Sequence, residues 1–104
     1  MGGTGPADAA TESFMRYLAA EVGPRGVRTA VLWTAGVVLD KEWLDAHPED
    51  RELEVAKDGL INMSMLRKRP TVQQFADTAA FVASDRGSGI TASVINVNSG
   101  ISAR

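Results

Sequence analysis

Apolar residues recur every third or fourth position over residues 7–22, a spacing typical of a helix with one buried face. Glu12 and Arg16 lie on the opposite face, four residues apart with the acid first, an order that stabilises a helix. Gly23 is predicted to end this helix in the left-handed conformation, because Pro24 cannot continue it. The predicted apolar face consists of Ala10, Phe14, Tyr17, Leu18 and Val22.

A second helix is predicted over residues 71–84, where the apolar positions again follow helical spacing. Thr71 and Gln74 match a capping box, in which the hydroxyl accepts a hydrogen bond from the backbone N–H of residue 74 and the amide side chain reaches back. This motif places the start of the helix. The predicted buried stripe consists of Val72, Phe75, Ala76, Ala79, Val82 and Ala83.

Two shorter segments have the pattern of strands. Residues 27–34 are V-R-T-A-V-L-W-T, and the continuous apolar run at 30–33 indicates a strand that is covered on both faces, as in a parallel sheet. Residues 90–97 form the second predicted strand, after glycines at positions 87 and 89. Since a helix connects the two strands, we expect them to be parallel, with a right-handed crossover. The predicted fold class is therefore α/β.

Residues 37–68 lie between the first strand and the second long helix and have no clean period. A short helix is predicted over residues 40–46, ending before Pro48. Residues 52–66 are predicted to be helical in part, because Gly59 weakens a helix. We interpret residues 37–68 as an irregular insert that resembles a substrate lid.

The charge balance excludes one class of function. The 104 residues include 11 Lys and Arg against 13 Asp and Glu, a net charge of −2 at pH 7, whereas nucleic-acid-binding domains have a clear basic excess. There is no cysteine, and no apolar run approaches the length of a membrane span. Residues 1–8 also lack the basic and apolar regions of a signal peptide. We therefore expect a cytoplasmic protein with no nucleic-acid or membrane partner.

Two stretches of the chain resemble the short-chain dehydrogenase/reductase family. Residues 9–28, A-A-T-E-S-F-M-R-Y-L-A-A-E-V-G-P-R-G-V-R, are similar to the segment that follows the family's Tyr-x-x-x-Lys motif. Residues 69–100 are similar to its C-terminal end, where a proline-led helix, an F-L-A-S-D turn, an I-T-G strand and a terminal V-D-G-G are usual. The resemblance implies a Rossmann-type fold and oxidation or reduction of alcohols and carbonyls with NAD or NADP.

The resemblance also implies that residues 1–104 form a single C-terminal segment of such a domain. The family's glycine-rich phosphate loop, its N-A-G segment and its catalytic serine have no counterpart in this sequence. The implied partners are a homo-oligomer or a separate N-terminal portion. The alternative function is a non-enzymatic oligomerisation or interaction module derived from the same fold. The helix at residues 7–22 resembles one that the family uses in its subunit interface.

This sequence departs from the family at positions that matter for chemistry. By register, Asp8 takes the place of the family's lysine and Thr4 that of its tyrosine. The family's reaction needs a phenol whose pKa is lowered by the lysine ammonium, and neither an alkyl alcohol nor a carboxylate supplies that chemistry. We therefore expect no catalytic residue and no turnover by this chain alone, although an enzyme that uses Thr4 or Asp8 differently is a third possibility. Ala92 and Ser99 stand where the family commonly has glycine.

The resemblance assigns two groups of candidate binding residues. The backbone just after the first strand contacts the nicotinamide amide in the family, and the corresponding residues here are Thr34, Ala35, Gly36 and Val37. The family's substrate-covering segment corresponds to the insert, and the corresponding apolar residues are Leu60, Ile61, Met63 and Met65. Ordinary core packing explains the second group equally well.

Other features have a functional and a structural interpretation, and we favour the structural one. The glycines of residues 2–7 lack the preceding strand of a phosphate loop, and are predicted to form a flexible entry or cap for the first helix, with Asp8 as an N-terminal acid. His47, in a polar turn, is predicted to be solvated rather than a metal ligand. The basic residues 67–69 are predicted to form a solvated helix end rather than a contact to a cofactor phosphate. Trp33 and Trp43 are expected to pack rather than to bind substrate.

Overall fold

The computed structural model describes residues 4–101, in which helices predominate over strands. In chain order the main elements are α1 (Thr4–Val22), β1 (Ala30–Trp33), α2 (Lys41–Ala46), α3 (Arg51–Ala56), α4 (Val72–Ala83) and β2 (Ser93–Asn96). Short 3-10 helices cover Gly23–Arg25, Pro48–Asp50, Lys57–Met63 and Asp85–Gly87. Within residues 4–101, no helix is both long and apolar enough to cross a membrane.

Strands β1 and β2 pair in a two-stranded parallel sheet, which confirms the predicted α/β class. Beyond β2, the N–H of Val97 donates to the carbonyl of Trp33 over 2.7 Å. Both strands are shorter than the predicted ranges of 27–34 and 90–97. The reason is local: the N–H of Thr29 donates to the side chain of Thr91 rather than to a backbone carbonyl, and Ala92 has a φ of 52°, which interrupts extended backbone before β2.

The chain divides into two compact units, and the first contains the residues up to Leu32 together with Ala80–Ile95. Met15 and Ala19 of α1 are each 6% exposed and are the buried apolar residues of that helix. The predicted apolar face of α1 is therefore partly wrong, since Phe14 is 66% and Tyr17 78% exposed. The unit packs against the helix face one position further round, and the two aromatic rings are left on the surface.

Both ends of α1 differ from their prediction. The helix already begins at Thr4, so Asp8 lies beyond the first turn and does not cap it. At the other end Gly23 belongs to the 3-10 helix that continues α1, and Gly26 is the left-handed residue, with a φ of 77°. Proline tolerates the first turn of a helix because it has no N–H to satisfy there, which allows Pro24 inside this extra turn.

One arginine fastens the loop before β1 to the segment after α4 within the first unit. The guanidinium of Arg28 donates to the carbonyls of Val82 (2.7 Å), Ile90 (3.1 Å) and Ser84 (3.2 Å). Two of these carbonyls come from the C-terminal end of α4, where a cation is favoured by the helix dipole. Arg28 thus fixes the chain where it enters β1.

The second unit contains Trp33–Ala79 together with the residues from Asn96 onward. The side chain of Asp40 caps α2 by accepting a hydrogen bond from the N–H of Trp43 (2.7 Å). Helix α3 and the following 3-10 helix confirm partial helicity over the predicted range of 52–66, with Gly59 in the tighter 3-10 part. Ser64 and Pro70 are the largest fully buried side chains of this unit in the described residues.

The capping box at the start of α4 is confirmed in both directions. The N–H of Thr71 donates to Gln74 Oε1 over 3.0 Å, and the N–H of Gln74 donates to Thr71 Oγ1 over 3.1 Å. The buried stripe of this helix is narrower than predicted. Val82 is buried, whereas Val72, Ala76 and Ala83 are exposed.

Candidate functional site

The loop that follows β1 contains the four residues predicted to face a nicotinamide. In parallel α/β sheets, ligands bind outside the carboxyl ends of the strands, which is where this loop begins. Thr34 is exposed, and Ala35, Gly36 and Val37 are half-buried. Gly36 has a φ of 63°, a left-handed conformation that glycine adopts without the steric cost of a Cβ.

Leu60, one of the predicted substrate residues, packs directly on Gly36. A Cβ built on Gly36 would lie 2.5 Å from Leu60 Cδ1 and 3.7 Å from Ile101 Cδ1. The structure therefore brings a predicted cofactor residue and a predicted substrate residue into contact within the second unit. Ile61 is half-buried beside Leu60 in the chain.

The two predicted methionines are placed differently from Leu60. Met63 is 66% and Met65 70% exposed. Met65 packs on Gly100, where a built Cβ would lie 2.6 Å from Met65 Cβ, and its N–H donates to the Gly100 carbonyl over 3.2 Å. The structure thus places Met65 at the turn after β2, while Leu60 lies on the loop after β1.

Ser64 holds this apolar segment in place, a role that was not predicted from the sequence. Its side chain is 1% exposed, and its hydroxyl donates to the Ser99 carbonyl over 2.8 Å. The same hydroxyl accepts from the N–H of Lys68 at 3.3 Å. A small polar residue among methionines and leucines was the available signal, because a serine buried there needs hydrogen-bond partners.

Arg69 corrects the prediction of a solvated basic cluster. Arg67 and Lys68 are exposed, but Arg69 is buried, with 6% of its surface exposed. Its guanidinium reaches the backbone carbonyls of Gly36 and Val37 and the carboxylates of Glu54 and Asp58. A phosphate contact by Arg69 would have to displace one of these partners.

The loop at 34–37 has the properties that a nicotinamide would need from it. A primary carboxamide has one acceptor and two donors, which backbone N–H and C=O groups complement. Close approach of backbone to ligand requires small side chains, and Gly36 has none. The side on which a Cβ of Gly36 would stand is occupied by Leu60 Cδ1, so the missing Cβ permits the contact with Leu60. The loop is compatible with the cofactor that the resemblance implies through its backbone N–H and C=O groups.

A groove of about 390 Å³ in the second unit lies apart from these residues. It lies between α4 and the chain at the end of β2, and its polar lining includes Lys68, Gln74, Asp77 and Asn98. None of the eight predicted binding residues lines it. The groove and the predicted site are thus different surfaces.

The remaining sequence candidates are placed as follows. The ring of His47 stacks on that of Trp43, with centroids 3.9 Å apart, and Trp43 Nε1 donates to Asp50 Oδ2 over 2.8 Å. Trp33 is half-buried in β1. Thr4 is the first residue of α1, and residues 2 and 3 of the glycine-rich start lie outside the described residues.

A family sequence profile decides the affiliation. The short-chain dehydrogenase profile described as "Enoyl-(Acyl carrier protein) reductase" matches residues 2–102. The chain belongs to the short-chain dehydrogenase/reductase family. The prediction from residues 9–28 and 69–100 is thereby confirmed.

Among family members, the chain is similar to two named reductases. It is 34% identical over 103 residues to "Enoyl-(acyl-carrier-protein) reductase (NADH) FabI" of Synechocystis sp., which covers 92% of this chain and 35% of that protein. It is 31% identical over 94 residues to 1-cyclohexenylcarbonyl-CoA reductase of Streptomyces collinus, covering 90% of this chain and 32% of that protein. The chain spans about a third of the length of the curated relatives it matches.

A solved family structure has the same fold over this region. The short-chain type dehydrogenase/reductase from Mycobacterium ulcerans aligns with a TM-score of 0.73 at 28% identity, over 96% of this chain and 34% of that one. The parallel strands with a helical connection in the present chain therefore correspond to about one third of a Rossmann-type domain.

Proposed function

We propose that this chain supplies the nicotinamide-facing loop and the substrate-covering segment of an NAD(P)-dependent reductase of α,β-unsaturated acyl thioesters. The observation that supports it best is the contact of Leu60 with Gly36 at the carboxyl end of β1. Both named relatives reduce, by their names, an unsaturated acyl group carried as a thioester. The same substrate class is the simplest proposal for this chain.

The residues of this chain have distinct parts in the proposal. A bound nicotinamide supplies the hydride. The backbone of residues 34–37 holds the ring amide, and Leu60 and Ile61 cover the loop from the side of the lid segment. Met63 and Met65, which are exposed, are available to the acyl part of a substrate, since methionine adapts to irregular apolar groups.

In this proposal, the chain lacks a proton donor at the positions of the family's tyrosine and lysine. Thr4 and Asp8 stand there by register, and an alkyl alcohol is far too weak an acid to replace a phenol. The chain therefore supports the binding of cofactor and substrate in a complete domain but does not supply the proton that the family's tyrosine delivers.

A chimera tests this function. The portion of the Synechocystis reductase that precedes the matched region would be joined to this chain, and binding of NADH would be followed by fluorescence. We expect a Kd of about 0.1 mM or tighter, in the range of ordinary metabolite affinities. A matched chimera with Gly36→Val, whose side chain clashes with Leu60 and displaces the loop, should bind at least tenfold more weakly. Equal binding by the two chimeras would contradict the assignment of the loop.

The exposed aromatic face of α1 supports a second candidate, a non-enzymatic oligomerisation or interaction module. Phe14 and Tyr17 project from one stretch of the helix and are 66% and 78% exposed. Aromatic residues are enriched at interfaces, so this face fits a second copy of the chain. Sedimentation of the full chain should show a dimer or larger that Phe14→Ser and Tyr17→Ser shift to monomer. Ala20→Ser, also at an exposed position of α1, is the matched control, and a monomeric unsubstituted chain would refute this candidate.

A further inference from the structure

The side chain of Arg69 donates hydrogen bonds to two successive backbone carbonyls of the loop after β1. Its Nε donates to the Gly36 carbonyl over 2.7 Å, and its Nη2 donates to the Val37 carbonyl over 2.9 Å. The side chain is 3% exposed, so water does not compete for these bonds. Both acceptors belong to the loop that is predicted to contact the nicotinamide.

The other edge of the same guanidinium binds the segment formed by α3 and the 3-10 helix that follows it, residues 51–63. Nη2 donates to Glu54 Oε1 of α3 over 2.7 Å. Nη1 donates to Asp58 Oδ1 of the following 3-10 helix over 2.9 Å and to the Glu54 carbonyl over 3.3 Å. One planar group therefore connects two segments that are separated by the whole of α2.

Arg69 has no donor left for any other partner. An arginine guanidinium carries five N–H groups, and the five hydrogen bonds above account for all of them. Lysine has three donors on a single point charge and does not reproduce this fork. The position thus requires arginine for geometry as well as for charge.

Glu54 makes a second connection between the same two segments. Its Oε1 accepts from the N–H of Leu39 at 3.3 Å as well as from Arg69, and Lys57 Nζ lies 3.9 Å from its Oε2. The carboxylate is 12% exposed. The loop after β1 and helix α3 are therefore joined by two charged side chains that neutralise each other in a buried setting.

We propose that Arg69 is a positioning residue that locks the loop at 34–37 to the segment 54–58. The lock keeps the residues proposed to contact the cofactor, 34–37, in one arrangement with those proposed to contact the substrate, which follow residue 58. This inference rests on the proposed function for the identity of the two sides. The lock itself rests on the hydrogen bonds of Arg69 and Glu54. Because Arg69 acts through the loop that it holds, the proposal adds a determinant of ligand affinity that contacts neither ligand.

Hydrogen exchange on the full chain, read by mass spectrometry, tests the lock without any ligand. In Arg69→Lys we expect exchange to rise together in residues 34–40 and 51–63, by about tenfold, which corresponds to ~1.4 kcal/mol of opening free energy. Residues 80–90, held by Arg28, should not change. Arg25→Lys, at an exposed arginine of the 3-10 helix Gly23–Arg25, is the matched control and should leave both segments unchanged.

Glu54→Gln is a second, milder variant, because its amide oxygen still accepts the same hydrogen bonds without the charge. We expect it to raise exchange in the same two segments by a smaller factor. A rise in only one segment, a rise throughout the chain in both variants, or no rise would each overturn the lock.

Binding of NADH to the chimera described above tests the positioning role. Arg69→Lys should weaken NADH binding about tenfold, while Arg25→Lys leaves the Kd unchanged. Unchanged affinity in Arg69→Lys, with the exchange response present, would overturn positioning. An unsubstituted chimera that does not bind NADH would instead refute the proposed function and leave the lock intact.

Discussion

Among the described residues, Ala92 and Ser99 adopt backbone angles that glycine would adopt more easily, as does Arg67. Ala92 has a φ of 52° and Ser99 a φ of 56°. In the left-handed region a Cβ approaches the following carbonyl oxygen, at a cost of about 1–2 kcal/mol for a non-glycine residue. Both are positions where the family commonly has glycine, so the departures noted in the sequence have a structural cost.

Replacing Ala92 by glycine is expected to stabilise the protein. Relief of the left-handed strain outweighs the added flexibility of the unfolded chain, so the free energy of unfolding in urea should rise by about 0.5–1 kcal/mol. Ala83→Gly, at an exposed helical position of α4, is the control and should lower stability by about 1 kcal/mol. A destabilised Ala92→Gly variant would show that the strain at this residue is absent in solution.

Gly36 is expected to tolerate no side chain. Alanine there combines a positive φ with a Cβ 2.5 Å from Leu60 Cδ1, and should lower the free energy of unfolding by about 1–3 kcal/mol. Gly59→Ala meets no atom within 4 Å and should be close to neutral. A double variant that adds Leu60→Ala to the Gly36 substitution should recover the part of the lost stability that comes from the clash. Urea unfolding of the original chain, the two single variants and the double variant measures this coupling. Strict additivity of the two substitutions would contradict the contact.

Elements whose signals are local were predicted well from the sequence. The capping box at Thr71 needs only residues three apart, and it places the start of α4 correctly. The buried face of α1 was missed because periodicity gives the spacing of a face but not which neighbour covers it. Phe14 is the more hydrophobic choice, yet Met15 is buried.

The site was predictable to the same extent. Motif register placed residues 34–37 after β1, but the partners of Arg69 lie 11 to 33 residues away in the chain. Nothing near Arg69 in the sequence distinguishes it from its solvated neighbours Arg67 and Lys68. A buried ion pair of this kind depends on the tertiary arrangement of segments without helical or strand periodicity.

Helix α2 carries the chain's clearest pH-dependent contact. Hydrogen bonds from Lys41 and from Arg51 hold the pKa of the Asp45 carboxyl below its usual value of 3.8. Because the pKa of Asp45 is lower in the folded chain, its ion pairs stabilise α2 fully when the pH is above the usual pKa of 3.8. This stabilisation is lost as the pH falls through the lowered pKa of the folded chain. The helicity of residues 41–46 should therefore decline below about pH 4.

An NMR titration of the Asp45 carboxyl measures this directly. Lys41→Met should raise the pKa of Asp45 toward 3.8, and Arg51→Met should do so to a smaller degree, following the order of the two contributions. Asp45→Asn should reduce the pH dependence of α2 over this range, while the carboxylate cap of Asp40 stays in place. A pKa of Asp45 that is unchanged in both cation variants would contradict the ion pairs.

The described part of the molecule as a whole combines the proposed binding site with exposed apolar surface. Large apolar side chains are exposed on α1, on α3 and in the segment that follows it, among them Tyr17, Val55 and Met65. Exposed apolar surface of this kind marks places where a further protein surface docks. The relatives named above are about three times as long, and the exposed apolar surface is what the proposal of a larger domain or assembly requires.

Turnover by the chimera tests whether Thr4 and Asp8 leave the proposed site without a proton donor. With NADH and crotonyl-CoA, the chimera that retains Thr4 and Asp8 should show no reduction above background. Introducing Thr4→Tyr and Asp8→Lys should raise the rate by at least about a hundredfold, the usual contribution of a positioned proton donor. Rapid turnover with Thr4 and Asp8 in place would contradict the account.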